Sequence, residues 1–152
     1  MQLEIKRIFC IFAAIILSFK IYPSNTTNSL NYGSGLIMTP TARFDSEGAV
    51  KVVVSKFSPI NKVNLVATPY NWLEASVYYN DINVRRYYPG SKQSYKDKGF
   101  SFKLKLKDED NLPAVAIGFE DIAGTSIFKS EYIVATQSLG EIEYSVGIGL
   151  VA

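Results

Sequence analysis

The feature that most constrains this chain is a strict alternation of apolar and polar side chains in its middle. Between positions 100 and 107, phenylalanine and leucine occupy the even positions, while serine and lysine occupy the odd ones. Successive side chains of a β-strand point to opposite faces, so this segment is predicted to be a strand with one apolar and one polar face. The alternation resumes after the polar turn 108–111, at Val115, Ile117 and Phe119, which predicts a β-hairpin.

A four-residue loop in this hairpin sets a predicted register. It places Phe102 opposite Ile117 and Lys103 opposite Ala116, so the large apolar groups share one face. A small residue opposite a lysine leaves room for the long cationic side chain. The polar face is therefore expected to carry a stripe of lysines.

The same alternation recurs along the chain and predicts seven strands. They cover about 49–57, 62–68, 72–81, 98–107, 112–120, 131–138 and 142–151. No stretch after residue 25 shows the 3.6-residue period of a helix. The predicted fold class is all-β, an antiparallel up-and-down meander.

The predicted connections alternate in length. Long connections at 82–97 and 121–130 contrast with short ones at 69–71, 108–111 and 139–141. Outer-membrane β-barrels have short turns at one end, longer loops at the other, and strands of about ten residues tilted by about 45°. An apolar face opposite a face of Lys, Glu, Ser and Gly fits the same plan, so we expect part of an outer-membrane barrel.

The N-terminus is predicted to be a secretory signal. Lys6 and Arg7 precede an uncharged apolar stretch at 8–19, which is the length of a signal core. The predicted domains are a signal peptide at 1–24, a linker or extended lead-in segment at 25–47, and a barrel segment at 48–152. The cleavage point within 18–27 is left open, and so is the alternative of an uncleaved interfacial anchor. Cys10, the only cysteine, lies in the leader and lacks the surroundings of a lipoprotein acylation site.

Composition excludes several functional classes. The chain has 16 Lys and Arg and 14 Asp and Glu; Lys6, Arg7, Lys20 and Glu4 belong to the leader, so 13 basic and 13 acidic groups remain. A net-neutral chain without a basic cluster predicts no nucleic-acid partner. The absence of histidine from the sequence, together with a lone leader cysteine, predicts no metal site and no cofactor. Ten tyrosines and nine phenylalanines suit strand surfaces or a membrane interface.

Several segments together carry a resemblance to a known family. They read GLIMTPTARF at 35–44, PYNWLEASVYYNDINVRRYYPG at 69–90, QSYKDKGFSFKLKL at 93–106 and PAVAIGFEDIAGTSIFKSEYIVATQ at 113–137. In this order they resemble the YjbH family of exopolysaccharide-associated outer-membrane β-barrel proteins, over residues 35–150. The resemblance implies an outer-membrane location, a role in exopolysaccharide production or export, and no catalytic mechanism. It also implies lipid, polysaccharide and other secretion proteins as partners.

Seven strands do not close a barrel in this prediction. They leave two open edges, and unpaired backbone groups in hydrocarbon are costly. We therefore expect an incomplete barrel, a truncated part of a larger one, that is completed by the remainder of the barrel.

Two sets of polar residues are candidates for chemistry. The carboxylates Asp97, Glu120, Asp121 and Glu131 lie near the two long loops, and paired carboxylates are able to cleave glycosidic bonds. The alternative is that they are solvated or form structural ion pairs. Residues 121–125 resemble a phosphate or calcium loop only weakly, and a positive φ at Gly124 is the expected reason for that glycine.

The lysine stripe suggests a path for an anionic polymer. Its alternative is that the lysines only solvate the polar face. The predicted glycan path consists of Lys103, Lys105, Lys107, Asp97 and Asp121.

Aromatic residues near the predicted strand ends also allow two interpretations. They form either an interfacial girdle, which we favour, or platforms for stacking sugars. They are Trp72, Tyr70, Tyr78, Tyr79, Tyr87 and Tyr88.

The sequence thus predicts a non-enzymatic outer-membrane barrel component of a polysaccharide export system, acting as scaffold or conduit. The alternative is a soluble periplasmic β-sandwich that binds carbohydrate.

Overall fold

The computed structural model describes residues 26–151, so the predicted signal peptide lies outside the described residues. In the described residues, two short strands pair with each other, and the seven strands that follow them along the chain form the main sheet. No helix in residues 26–151 is long and apolar enough to cross a membrane. The strands are β1 (Gly35–Leu36), β2 (Thr39–Pro40), β3 (Ala49–Phe57), β4 (Ile60–Tyr70), β5 (Leu73–Arg86), β6 (Ser94–Lys107), β7 (Ala114–Ile122), β8 (Ser130–Leu139) and β9 (Ile142–Val151).

The main sheet is an antiparallel meander, as predicted. Each strand pairs with the next one along the chain, and the sheet curls into an open half-barrel with β3 and β9 at its edges. Gly140 has a φ of 63° in the tight turn between β8 and β9, where Leu139 pairs with Ile142. The all-β prediction is confirmed for the described residues.

The two faces of the sheet are inverted relative to a water-soluble domain. Apolar side chains cover the convex face, where Val54, Phe100 and Val146 are 73%, 54% and 70% exposed. The concave face carries polar side chains, and Asn80 and Asp97 there are fully buried. Among residues 26–151, fifteen buried residues are polar or charged and only eight are hydrophobic. Buried positions are normally apolar, so this sheet holds its polar face inside.

A β-sandwich would cover the convex face with a second sheet. In residues 26–151 the only other strands are β1 and β2, and their segment lies on the concave face. The soluble sandwich alternative is therefore not favoured.

The predicted hairpin register is wrong by two residues, although the faces are right. Phe102 pairs with Phe119, and Lys103 pairs with Gly118. The connection is longer than predicted, 108–113, and the ladder shifts near Lys105 and Phe100. A shift of two keeps every side chain on its predicted face, and Phe102 packs on Phe119 with ring centroids 5.0 Å apart.

The predicted long connection at 82–97 is also wrong. Strand β5 continues to Arg86 and β6 begins at Ser94, so the loop is only 87–93. The Lys96 ammonium bonds the Asp81 carboxylate at 2.6 Å, and the Arg85 guanidinium lies over the Tyr95 ring. These cross-strand pairs extend the ladder of β5 and β6 into the predicted loop. The contrast in loop length is therefore smaller than expected.

Residues 26–47, which we call the strap, lie across the concave face. This segment belongs to the predicted linker or lead-in segment 25–47; it folds back on itself in the short hairpin of β1 and β2 and is bound to the sheet. Ala42 packs with Ala114, Ala116 and Val134, and its N–H donates to Thr136 Oγ1 at 2.8 Å. The strap therefore takes the place of a second layer on the polar side of the sheet.

Candidate functional site

The concave face and the strap together form the candidate site. The side chains involved come from alternate positions of β4 to β8, which the strand periodicity directs to one side. They form two polar clusters, one beneath the strap and one beneath the loop 123–129 between β7 and β8.

Lys103 is the centre of the first cluster. Its side chain is 3% exposed, and its Nζ lies 3.2 Å from Glu74 Oε1. It also donates to the backbone carbonyls of Thr41 and Arg43, at 3.2 and 2.8 Å. The Ser34 carbonyl oxygen also lies 3.3 Å from Nζ, so one carboxylate and three strap carbonyls surround the three donors of the ammonium. The pair therefore fixes the strap to β5 and β6.

Glu74 holds the strap by its other oxygen as well. The Ser34 N–H donates to Glu74 Oε1 at 2.9 Å, and the Ser34 hydroxyl donates to Oε2. A Cβ at Gly33 would lie 2.3 Å from the Glu74 carboxylate, and a Cβ at Gly118 would overlap the Tyr132 ring. This region is therefore tightly packed. Removing one member of such a buried pair leaves the other charge unpaired, which is strongly destabilising.

Arg43 fixes the strap at the short-turn end of the sheet. Its guanidinium bonds Glu109 Oε2 at 2.5 Å and Glu143 Oε2 at 2.6 Å, and donates to Ser138 Oγ at 2.8 Å. The Ser138 backbone N–H and then Arg43 hold the pKa of the Glu109 carboxyl below its usual range. The strap thus joins the turn after β6 to the hairpin of β8 and β9.

The second cluster surrounds two aspartates. The Tyr78 hydroxyl donates to Asp121 Oδ1, and the Phe128 N–H donates to Asp121 Oδ2 at 3.0 Å. Asp97 accepts from Asn80 Nδ2 at 2.9 Å and from Thr125 Oγ1 at 2.6 Å. Both carboxylates are buried, and both tie the loop 123–129 to the sheet.

Three residues other than glycine have positive φ at the end of β7 and in the loop 123–129 that follows it. They are Asp121, Ala123 and Ser126, with φ values of 54°, 53° and 60°. Gly124 is not among the positive-φ residues, so the predicted reason for that glycine is wrong. A Cβ at Gly124 would lie 2.1 Å from Asp121 Oδ1 and 2.7 Å from the Lys98 carbonyl oxygen. Close packing, rather than backbone conformation, therefore requires a glycine at this position.

The structure separates the three lysines of the predicted glycan path. Lys103 is buried under the strap, whereas Lys105 and Lys107 lie nearer the turn and bond Asp108 and Asp110, at 2.8 and 2.7 Å. The two aspartates of that path belong to the second cluster and are engaged by the loop. The five residues share one face, but they do not form one continuous open surface.

Of the four carboxylates weighed as a catalytic set, three share the concave face and the fourth does not. Asp97, Glu120 and Asp121 belong to the concave face, and Glu120 accepts from the Ser130 hydroxyl at 2.8 Å. Glu131 is exposed and pairs in register with Phe119 and Leu150, on the convex face.

The aromatic residues divide into two groups. Tyr70 and Trp72 stack at the turn between β4 and β5 with ring centroids 5.6 Å apart, and both are exposed. Tyr87 and Tyr88 are exposed in the loop 87–93, at the other end of β5, and Tyr79 is exposed on the convex face. Tyr78 is 2% exposed, so it belongs to neither a girdle nor an accessible sugar platform.

The residues that hold the strap on the sheet were not predicted from the sequence. Glu74, Arg43 and Thr136 received no role, because the contacts between strap and sheet that they form span 40 to about 100 positions. One available signal was the Pro-Thr-Ala-Arg run at 40–43, which entered the prediction only as part of the family resemblance. The segments that carry the family resemblance contribute residues to the two polar clusters, among them Glu74, Lys103 and Asp121.

The fold and the site define a class of protein: an all-β chain with a curled seven-stranded meander, an apolar convex face and a polar concave face closed by a strap. The family model YjbH, described as "Exopolysaccharide biosynthesis protein YbjH", matches residues 27–151. This chain belongs to the YjbH family.

A curated relative supports the same assignment. The chain is 37% identical over 123 residues to "Uncharacterized lipoprotein YjbH" of Escherichia coli (strain K12), a match that covers 77% of this chain and 18% of the relative. The chain therefore spans about 18% of the length of that relative. No solved structure matches the chain.

Proposed function

We propose that this chain is part of an outer-membrane β-barrel that serves exopolysaccharide production or export, and that it acts as a scaffold or conduit and not as a catalyst. The family supplies the exopolysaccharide role. The observation that carries the membrane role is the inversion of the sheet, with apolar residues exposed on the convex face and charged residues buried on the concave one. Outer-membrane barrels turn apolar side chains to lipid and polar ones inward.

The convex face has the dimensions of a membrane surface. Strand β9 exposes Ile142, Val146, Ile148 and Leu150, over a length of about 26 Å at about 3.3 Å per residue. With a tilt of about 45°, a strand of about ten residues spans the hydrocarbon core. The exposed Trp72 and Tyr70 lie at one end of the apolar band, where an interfacial girdle belongs.

The open edges support a larger assembly. Strands β3 and β9 each lack a partner on one side among the described residues. An unpaired backbone group in hydrocarbon costs several kcal/mol, so both edges are proposed to pair with further strands of the barrel. The partners are then outer-membrane lipid, those strands, and other secretion proteins that handle the polysaccharide.

The strap bears on the choice between scaffold and conduit. It covers Lys103 and bonds Glu74, so a path along Lys103, Lys105, Lys107, Asp97 and Asp121 requires the strap to move away. A scaffold role needs no such movement. Both roles are non-catalytic, and the engaged carboxylates of the concave face favour structural work over acid–base chemistry.

Cell fractionation tests the proposal. The chain, expressed in a Gram-negative host, is expected in the outer-membrane fraction, and its extraction is expected to require detergent. Release by osmotic shock without detergent would instead favour a soluble periplasmic protein. Loss of exopolysaccharide on deletion of the gene, restored by the wild-type chain, would link that location to the pathway.

A further inference from the structure

A cavity of about 200 Å³ lies at the loop end of the concave face, beside the turn that joins β3 to β4. One water occupies roughly 30 Å³ in the liquid, so the cavity has room for a ring-sized ligand. Its lining is largely apolar, and Met38 and Phe57 at its mouth are 54% and 60% exposed. We call it the rim cavity; Lys62, Tyr32 and Phe128 also line it.

Lys62 is the one cation that lines the rim cavity. Its Nζ donates to Asn31 Oδ1 at 3.1 Å and lies 5.1 Å from the Tyr32 ring centroid and 5.4 Å from that of Phe128. The side chain makes no salt bridge to any residue in 26–151. An ammonium offers three donors, and one amide oxygen leaves this buried cation incompletely satisfied.

The two carboxylates that interact electrostatically with Lys62 form their hydrogen bonds with other residues. Glu120 and Asp97 influence the charge of Lys62 through space, without a direct bond to it. Glu120 instead bonds Ser130, and Asp97 bonds Asn80 and Thr125. Burying a cation without a bonded anion is costly. Contact with the two aromatic rings offsets part of that cost, and a bound anion would offset more.

The aromatic walls of the rim cavity narrow the choice of ligand. The N–H of Phe128 is held by Asp121 Oδ2, so the loop 123–129 presents this ring beside Lys62 in a fixed place. Ligand pockets combine apolar and aromatic walls with a few polar groups that fix orientation. A suitable ligand would carry one negative group, to pair with Lys62. The rest of it would be a flat, largely C–H surface, to pack against the Tyr32 and Phe128 rings.

We propose that the rim cavity binds an acidic sugar unit, with the sugar carboxylate on Lys62 and the ring against Phe128. The requirement for a negative charge comes from Lys62 and stands independently. The choice of a sugar rests on the proposed role in exopolysaccharide production or export. A uronic acid has both the negative charge and the sugar ring. The cavity lies at the same end of the sheet as the loops 87–93 and 123–129.

Saturation-transfer NMR on the full chain in detergent micelles tests the proposal. The probes are glucuronate, glucose and acetate at equal concentrations. Glucuronate is expected to bind at least tenfold more tightly than glucose or acetate, since only it presents both the charge and the ring. Binding is also expected to weaken at high salt.

Two variants and one control locate the site. In Lys62→Met, which keeps the length of the side chain, glucuronate binding is expected to fall at least tenfold. The control Lys56→Met removes an exposed lysine of β3 and should leave binding unchanged. If Lys62→Met fails to fold, Phe128→Ala serves in its place, with the same expected loss of binding.

Three outcomes would overturn the proposal: equal binding of glucose and glucuronate, equal binding of acetate, or wild-type binding in both Lys62→Met and Phe128→Ala. None of them depends on membrane location. A chain that fractionates with the outer membrane but does not bind glucuronate retains the proposed function and loses only this site.

Discussion

Individual side chains hold the strap on the sheet largely through charges and hydrogen bonds. Lys103 and Glu74 form a buried pair whose remaining bonds go to the strap, and Arg43 bonds two carboxylates and a hydroxyl at the turns. Buried charges are tolerated only when they are paired and hydrogen-bonded. The strap supplies the missing partners, so sheet and strap depend on each other.

The Lys103 and Glu74 pair can be tested by Glu74→Gln. Removing one charge of a buried pair is expected to lower the free energy of unfolding by about 3–5 kcal/mol, measured by urea titration of Trp72 fluorescence. Glu141→Gln, at an exposed turn position, is the control and should change it by less than about 0.5 kcal/mol. Tryptic cleavage after Arg43, the only Lys or Arg in the strap, should also become faster in Glu74→Gln. An unchanged cleavage rate would mean that the pair does not hold the strap.

The contact between Glu109 and Arg43 predicts a pH dependence. The folded-state pKa of Glu109 lies below its ordinary value, so its contribution is present above the unfolded pKa and is lost as the pH falls through the folded one. Wild type should therefore be more stable than Glu109→Gln at pH 7, and the difference should shrink below about pH 4.3. A difference that stays constant from pH 7 to pH 3 would contradict this account.

At the scale of elements, small residues on β7 make room for what covers them. Ala114 and Ala116 lie under Ala42 of the strap, and Gly118 lies under the Tyr132 ring. A Cβ at Gly118 would lie 2.1 Å from the Tyr132 Cζ atom. The alternation of small residues on this strand is therefore a packing requirement of the concave face.

Gly118→Ala tests this packing. The added methyl group should overpack the site and lower the free energy of unfolding by about 1–3 kcal/mol. In Gly149→Ala the nearest atom is 3.4 Å away, so this matched variant on β9 should be neutral or slightly stabilising. Equal effects in a urea titration would mean that Tyr132 does not pack on Gly118 in solution.

The sequence predicted the strands well because side-chain alternation is a local property. The strands Ala49–Phe57 and Ile142–Val151 match their predicted bounds, and the apolar face of β6 is assigned correctly. The register of β6 with β7 was wrong because loop length and a ladder irregularity do not show in a period of two. The contacts of the strap were missed because it has no period, and its bonds to Glu74 and Thr136 join distant parts of the chain.

The candidate site was predicted in part. Lys103 was correctly expected on the polar face, whereas Asp97 and Asp121 were expected only near the long loops. All three are buried, Lys103 beneath the strap and the two aspartates beneath the loop 123–129. Tyr78 was grouped with surface aromatics because a tyrosine near a predicted strand end looks the same whether it faces lipid or Asp121. Lys62 carried no signal at all, since only the fold brings Tyr32 and Phe128 to it.

At the scale of the whole molecule, the inverted sheet is the basis for the proposal that the convex face lies in an apolar environment. Val52, Val146 and Leu150 are among many large apolar side chains exposed there. Monomeric soluble proteins rarely expose a continuous apolar surface of this kind. The proposed contact of the convex face with lipid, together with the strap on the concave face, would account for both sides.

The most direct test compares two lysine substitutions in full-length chain bound to lipid vesicles. Val146 lies in the middle of β9 on the convex face, whereas Leu112 lies in the turn after β6; they are 70% and 60% exposed. If the convex face contacts acyl chains, Val146→Lys should weaken vesicle association, measured by flotation, by about 2–4 kcal/mol, and Leu112→Lys by at most about 1 kcal/mol. Equal effects of the two substitutions, or no effect of Val146→Lys, would contradict the account.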